Sequence, residues 1–115
     1  MSIASDLIRG HTDAIILAHL ISGDSYGYEI NKSIRKITGD RFELKEATLY
    51  TAFRRLEEAG HISSYWGDEA TGARRRYYSI TNLGRKVFEQ MNSEWQEAKE
   101  IIDRLMAAGG STNGE

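Results

Sequence analysis

At 115 residues, with a formal charge of −2, a pI near 5.9 and 40% hydrophobic residues, the chain is long enough for one modest core and too short for two. The absence of cysteine excludes disulfide staples, thiolate metal ligands and a cysteine nucleophile, and fits a reducing, cytoplasmic setting. The acidic balance excludes a globally basic nucleic-acid binder, so any such role has to come from local clustering.

The first predicted helix runs from about Ile3 to Ser22, with Leu7, Ala14, Ile15, Leu17, Ala18 and Ile21 apolar, a bend at Gly10 and a stop at Gly23. Asp24 or Ser25 is placed to cap a second helix, whose Ile30, Ile34 and Ile37 form one inward stripe before Gly39 ends it. After a connector over Asp40 to Lys45, a third helix turns Leu49, Phe53 and Leu56 inward and stops at Gly60. Its start lacks a good cap, since Lys45 stands where serine, threonine or aspartate is expected. The helical period puts Thr48, Thr51, Arg54, Arg55 and Glu58 on the opposite, outward face.

Ile62 to Trp66 and Arg75 to Ile80, rich in β-branched and aromatic residues, read as antiparallel strands around a turn over Gly67 to Ala73. From a Thr81 cap, a last helix carries Phe88, Met91, Trp95, Ala98, Ile102 and Leu105 in steps of three and four, the seam of a helix packing along another helix. The fold predicted is mainly α with a β-hairpin wing. It comprises a winged helix-turn-helix over residues 1–80, whose N-terminal helix also joins the dimer interface, a C-terminal dimerisation helix over 81–108 and a flexible tail over 109–115. A long apolar seam next to so small a core predicts a homodimer, with Phe88, Met91, Trp95, Ala98, Ile102 and Leu105 at its interface.

In such a motif the second helix enters the major groove of DNA. Thr48, Thr51 and Arg54 are then candidates for base edges, and Lys45, Tyr50 and Arg55 for the backbone. The same face also reads as a solvated surface with intrahelical pairs such as Arg54 with Glu58. "ARRRYY" favours the first reading: Arg74 and Arg76 share one side of a strand, Arg75 takes the other, and three adjacent cations call for an anion. Protection of an edge strand by charge accounts for one or two of these arginines more easily than three. A winged-helix module that binds protein without specific DNA binding remains the alternative function.

No catalytic role is expected. Gly67 and Gly72 copy the spacing of a phosphate loop, but Ala73 and Arg74 stand where lysine and serine or threonine belong. The scattered serines, histidines and carboxylates carry no catalytic signature. His11, His19 and His61 lack metal-ligand spacing, so no cofactor or metal is implied. The longest apolar run, Ala14 to Ala18, is far below a membrane span, and no signal-peptide pattern opens the chain.

"SYGYEINKSI", "ATLYTAFRRLEEAGHI" and "GARRRYYSITNLGR" resemble the three signature segments of the PadR family of bacterial transcriptional regulators, in its small subclass with a single C-terminal helix. The resemblance spans about Asp13 to Trp95 and adds Tyr26, in the first segment, to the candidate DNA contacts. It implies a homodimer that binds an inverted-repeat operator and represses a transporter operon or its own gene. Many members have proline where this chain has Thr51; that departure, with "EATLYT", "SSYWGDE" and Trp95, points to the multidrug-binding branch. There the resemblance implies a pore at the dimer centre in which paired tryptophans, here Trp95, sandwich flat aromatic compounds, with Leu7, Ala14, Leu17, Ala18, Val87 and Met91 lining it. Lys99 stands where that branch has an aspartate and opposes a cation, favouring neutral or anionic aromatics unless Glu94 or Asp13 restores the attraction.

Overall fold

The computed structural model of the protein describes residues 3–67 and 74–110, in the order α1 (Ile3–Arg9), α2 (Thr12–Ile21), α3 (Gly27–Thr38), α4 (Glu46–Glu58), β1 (Ile62–Trp66), β2 (Arg76–Ile80) and α5 (Asn82–Gly110). The first predicted helix is in fact two. At Gly10 and His11 the chain leaves the helix, with His11 at φ −110°, ψ 21°, and the Thr12 hydroxyl donates back to the Arg9 carbonyl at 2.7 Å. Gly10 is therefore a break and not a bend.

α3 begins after Tyr26 without a side-chain cap. The two residues expected to cap it are engaged elsewhere: the Ser25 hydroxyl donates to Glu29 at 2.6 Å, and Asp24 accepts from the Tyr65 hydroxyl at 2.6 Å. α3 ends at Gly39, whose φ of 61° lies in the left-handed region open to glycine at little cost. Ile30 and Ile34 are buried as expected, but Ile37 is 73% exposed. The core instead takes in Phe42 and Leu44 of the following connector, both buried in the same cluster as Ile30 and Ile34. Asn31 clamps that connector in both directions, donating to the Leu44 carbonyl at 2.7 Å and accepting from its N–H at 2.8 Å.

α4 buries Leu49, Ala52, Phe53 and Leu56 on one face and starts at an uncapped Lys45, as its sequence indicates. Gly60, at φ 80°, turns the chain into β1. β1 and β2 pair antiparallel from Ile62 with Ile80 to Trp66 with Arg76; the turn expected between them lies mostly at 68–73, outside the described residues. A further bridge, Ser25 with Tyr78, ties the wing to the connection before α3.

α5 lies on α2 over its first turns, where Val87, Phe88 and Met91 are half-buried against the common core. Thr81 caps it, accepting from Gly84 N–H at 3.0 Å while donating to the Gly60 carbonyl at 2.7 Å. The entry is so close that a Cβ on Gly84 would stand 2.1 Å from the His61 carbonyl oxygen. Gly84→Ala is therefore expected to cost about 1–3 kcal/mol and to lower the melting temperature by several degrees in a thermal scan. Farther on, α5 projects from the body and gives the molecule a longest extent of 62 Å. The helix continues to Gly110, so Gly109 and Gly110, expected in the tail, are helical; the rest of that tail, 111–115, lies outside the described residues.

Candidate nucleic-acid interface

The inward stripe of α4 leaves Thr51, Arg54, Arg55 and Glu58 exposed and Thr48 half-buried. The Arg54–Glu58 pair does not form, and Arg54 has no polar partner among the described residues. Arg55 behaves differently. It forks onto Asp13 of α2, with Nε 3.2 Å from Oδ2 and Nη2 on Oδ1, and this hydrogen bonding pushes its guanidinium above its ordinary pKa.

Tyr50 stands at the start of α4, 42% exposed, with its ring edge-on to Phe53 at 5.6 Å. Phe53 in turn stacks on Tyr78 of β2 at 3.9 Å between ring centroids. A Cβ at residue 27 would lie 2.6 Å from the Tyr50 hydroxyl, so Gly27 makes room for that side chain. Burial raises the Tyr78 phenol pKa while Arg76 pulls it down; the net shift is upward, which keeps the phenol neutral.

The wing arginines divide between two rings. Arg74 and Arg76 lie over Trp66, at 5.2 and 5.6 Å from its centroid, and Arg75 lies over Tyr26 at 4.8 Å. Arg76 also donates to Ser64 at 2.8 Å and comes within 3.8 Å of Glu57. The three cations thus have aromatic faces and one carboxylate near them, a relief of their repulsion that their spacing alone did not reveal. A guanidinium held over an aromatic face spends none of its N–H donors on that contact. Arg74, Arg75 and Arg76 line one cleft of about 440 Å³ with Tyr26, Gly27, Tyr28, Tyr50, Trp66 and Tyr78. The tertiary fold therefore joins Tyr50, in the second turn of α4, to the wing. Lys45 lies apart, in a cleft with Arg9, Arg35 and Arg41.

A second concavity, of about 350 Å³, opens between the α1–α2 junction and α5. Gly10, His11, Asp13 and Ala14 line one wall and Met91, Glu94, Trp95 and Ala98 the other. His11 stands edge-on to Trp95 at 5.1 Å, leaving the indole 42% exposed. Among the described residues no helix is long and apolar enough to cross a membrane, and no group of side chains is arranged to hold a metal.

The profile of the PadR-like family of transcriptional regulators matches residues 16–90, spanning α3, α4, the wing and the start of α5. The chain belongs to the PadR-like family. A transcriptional regulator from Clostridium thermocellum is 51% identical, with a TM-score of 0.81 over 90% of this chain and 97% of its own. An uncharacterized protein of Lysinibacillus sphaericus is 48% identical over 104 residues, 90% of this chain and 95% of that one. Bacillus subtilis PadR, solved in complex with operator DNA, shares the fold with a TM-score of 0.62 at 22% identity, over 69% of this chain and 45% of its own.

In this PadR-family chain the residues expected around Trp95 are only partly brought together. Asp13, Ala14, Met91 and Trp95 share the groove. Leu17 does not reach it, because it is fully buried in the core, and Ala18 faces a separate cleft with His19 and Ser33. Leu7 is exposed, Val87 packs against the core, and Lys99 is exposed outside the groove lining. Of the expected seam, Phe88 and Met91 lie partly against their own core, Ala98 is half-buried, and Trp95, Ile102 and Leu105 are exposed. Ile101 and Met106 extend that exposed apolar surface. Sequence reasoning missed His11, Gly27 and Trp66. Only Trp66 leaves a local signal, an aromatic residue paired across the hairpin with an arginine.

Proposed function

We propose that this PadR-family regulator is a sequence-specific repressor that binds an inverted-repeat operator as a homodimer. The winged unit over residues 1–80 reads DNA, and the helix over 81–108 joins the two copies. The observation that carries this reading is the cleft that Tyr50 of α4 shares with Arg74, Arg75 and Arg76 of the wing, beside an α4 face whose Arg54 has no polar partner among the described residues. Thr48, Thr51 and Arg54 address base edges; Tyr26, Lys45, Tyr50 and the wing arginines hold the backbone, and Arg55 joins them when released from Asp13. The operator complex of the Bacillus subtilis neighbour supports the choice of partner.

Aromatic, drug-like compounds in the Trp95 groove control the repressor in this reading, in the manner of the lactococcal multidrug-resistance repressor that "EATLYT", "SSYWGDE" and Trp95 resemble. The regulated gene is then a multidrug transporter or the regulator's own. Lys99 opposes a cation, and Glu94 and Asp13, which line the groove, are the groups placed to restore the attraction.

Selection of bound duplexes from a random pool, with and without aromatic compounds, is expected to return a palindrome and a compound-dependent yield. Recovery of no symmetric site would count against the reading. Arg54→Ala and Tyr50→Ala are each expected to weaken binding to the selected duplex about 10- to 100-fold in an anisotropy titration, with the far-ultraviolet circular dichroism unchanged. Titrating a planar cationic dye is expected to quench the Trp95 emission relative to a Trp95→Phe variant, which retains Trp66 as the background signal.

A further inference from the structure

We propose that Asp13 withholds Arg55 from the DNA backbone, and that an occupant of the Trp95 groove reaches the recognition helix through this one carboxylate. The proposal rests on the reading of α4 as the DNA-reading helix and adds a positioning residue that lies outside it.

Asp13 belongs to two places at once. Its carboxylate accepts the Arg55 fork from α4, with Nε at 3.2 Å, and the residue lines the groove with Ala14, Met91 and Trp95. The other acidic residue of the groove, Glu94, accepts a hydrogen bond at 2.9 Å from Gln90 on its own helix. Arg55 sits one helical turn beyond Thr51 and next to Arg54, so its side chain rises from the edge of the outward face. The Arg55 and Asp13 side chains are 54% and 27% exposed. A solvent-screened pair of this kind is weak and exchanges readily.

A guanidinium fork matches a phosphate as well as it matches a carboxylate. DNA and Asp13 therefore compete for the same five N–H donors. For Arg55 to move to a phosphate, Asp13 must take up water or another cation in its place. A cation held in the groove provides the second route. Such an occupant frees Arg55 and strengthens the backbone contribution to DNA binding, and by linkage DNA strengthens binding of the cation by the same factor. A structural pin between α2 and α4 makes the opposite prediction: loss of the bridge loosens the recognition helix and weakens DNA binding.

The test is the salt dependence of binding to the selected operator duplex, measured by anisotropy across a potassium chloride series. The parent is compared with Asp13→Asn, Arg55→Lys, Arg55→Ala and the Asp13→Asn/Arg55→Ala double variant. Each phosphate newly contacted steepens the slope of log K against log salt by about 0.9. Asp13→Asn is expected to steepen it by that amount per subunit and to tighten binding several-fold at low salt. Arg55→Lys, which keeps the charge but loses the fork, is expected to shift it the same way. In the Arg55→Ala background, Asp13→Asn is expected to leave the slope where it was. With tetraphenylphosphonium as the cationic probe, the parent slope is expected to move toward that of Asp13→Asn, and the Asp13→Asn slope to stay fixed.

Weaker binding by Asp13→Asn, an unchanged slope, or an equal change without Arg55 overturns the proposal. A probe effect of the same size in Asp13→Asn overturns the link to the groove. If the parent binds no duplex in a salt-dependent way, the DNA-reading assignment itself fails; if it binds and the variants match it, only the role of Asp13 does.

Discussion

Ile102→Asp combined with Leu105→Asp is expected to yield a well-folded monomer whose operator affinity is lower by about 10²- to 10⁴-fold. Both side chains project from the part of α5 that has left the body of its own chain, at 47% and 68% exposure, so neither supports the fold of a single subunit. Trp95, Ile101 and Met106 extend the same apolar surface along the helix, at 42%, 50% and 72% exposure. Surface of this kind, contiguous over several turns, gains by burial against a second copy at about 25 cal/mol per Å². A two-fold seam brings each residue close to its own counterpart or its neighbours, so two carboxylates per chain place four like charges in one apolar interface. The loss in affinity follows from geometry, because a monomer engages one half-site and forfeits the effective concentration that links the two. Sedimentation and anisotropy measured on the same sample check the prediction. A persistent dimer, or a monomer that binds the whole operator undiminished, would refute it.

The second large effect lies in the core. Phe53→Ala is expected to cost about 3–5 kcal/mol, a large part of the 5–15 kcal/mol typical of a whole domain. Phe53 is 1% exposed and stacks on Tyr78 at 3.9 Å with the planes 13° apart. Its ring also supports Tyr50 edge-on, so the cavity left by alanine loosens the wing and the start of α4 together. Phe53→Leu fills more of that space and is expected to cost less than half as much. Thermal melting by circular dichroism separates the two, and near-equal melting temperatures for the alanine variant and the parent would show that Phe53 is not a keystone. The contrast with Gly84→Ala is instructive. There the penalty comes from adding an atom against a carbonyl, here from removing six heavy atoms from a filled core.

Much of this architecture is local and therefore legible before folding. α4 runs from Glu46 to Glu58 because Leu49, Phe53 and Leu56 repeat at the helical period, and the left-handed backbone at Gly39 and Gly60 is set by residues that accept it without a Cβ penalty. The wing strands follow from β-branched and aromatic residues on both sides of a glycine-bearing turn, with β2 beginning at Arg76, one residue later than expected. The break at Gly10 and His11 was less legible, because apolar residues on both sides continue a helical pattern and only the Thr12 return bond to Arg9 interrupts it. Ile37 shows the converse: its spacing is right for burial, yet it is exposed, while Phe42 and Leu44 of the connector, which follow no helical period, are buried.

By itself the amino-acid order determined the succession of elements, the outward face of α4, the basic run of the wing and the apolar seam of α5, since each is a periodic or contiguous property of neighbouring residues. Only the tertiary structure decided where the charges and rings meet: Arg55 on Asp13, Arg75 over Tyr26, His11 against Trp95, and Tyr50 in the same cleft as the wing arginines. The physical reason is that these contacts join residues far apart in the chain. Their energies depend on distances that folding creates, and no local period records them.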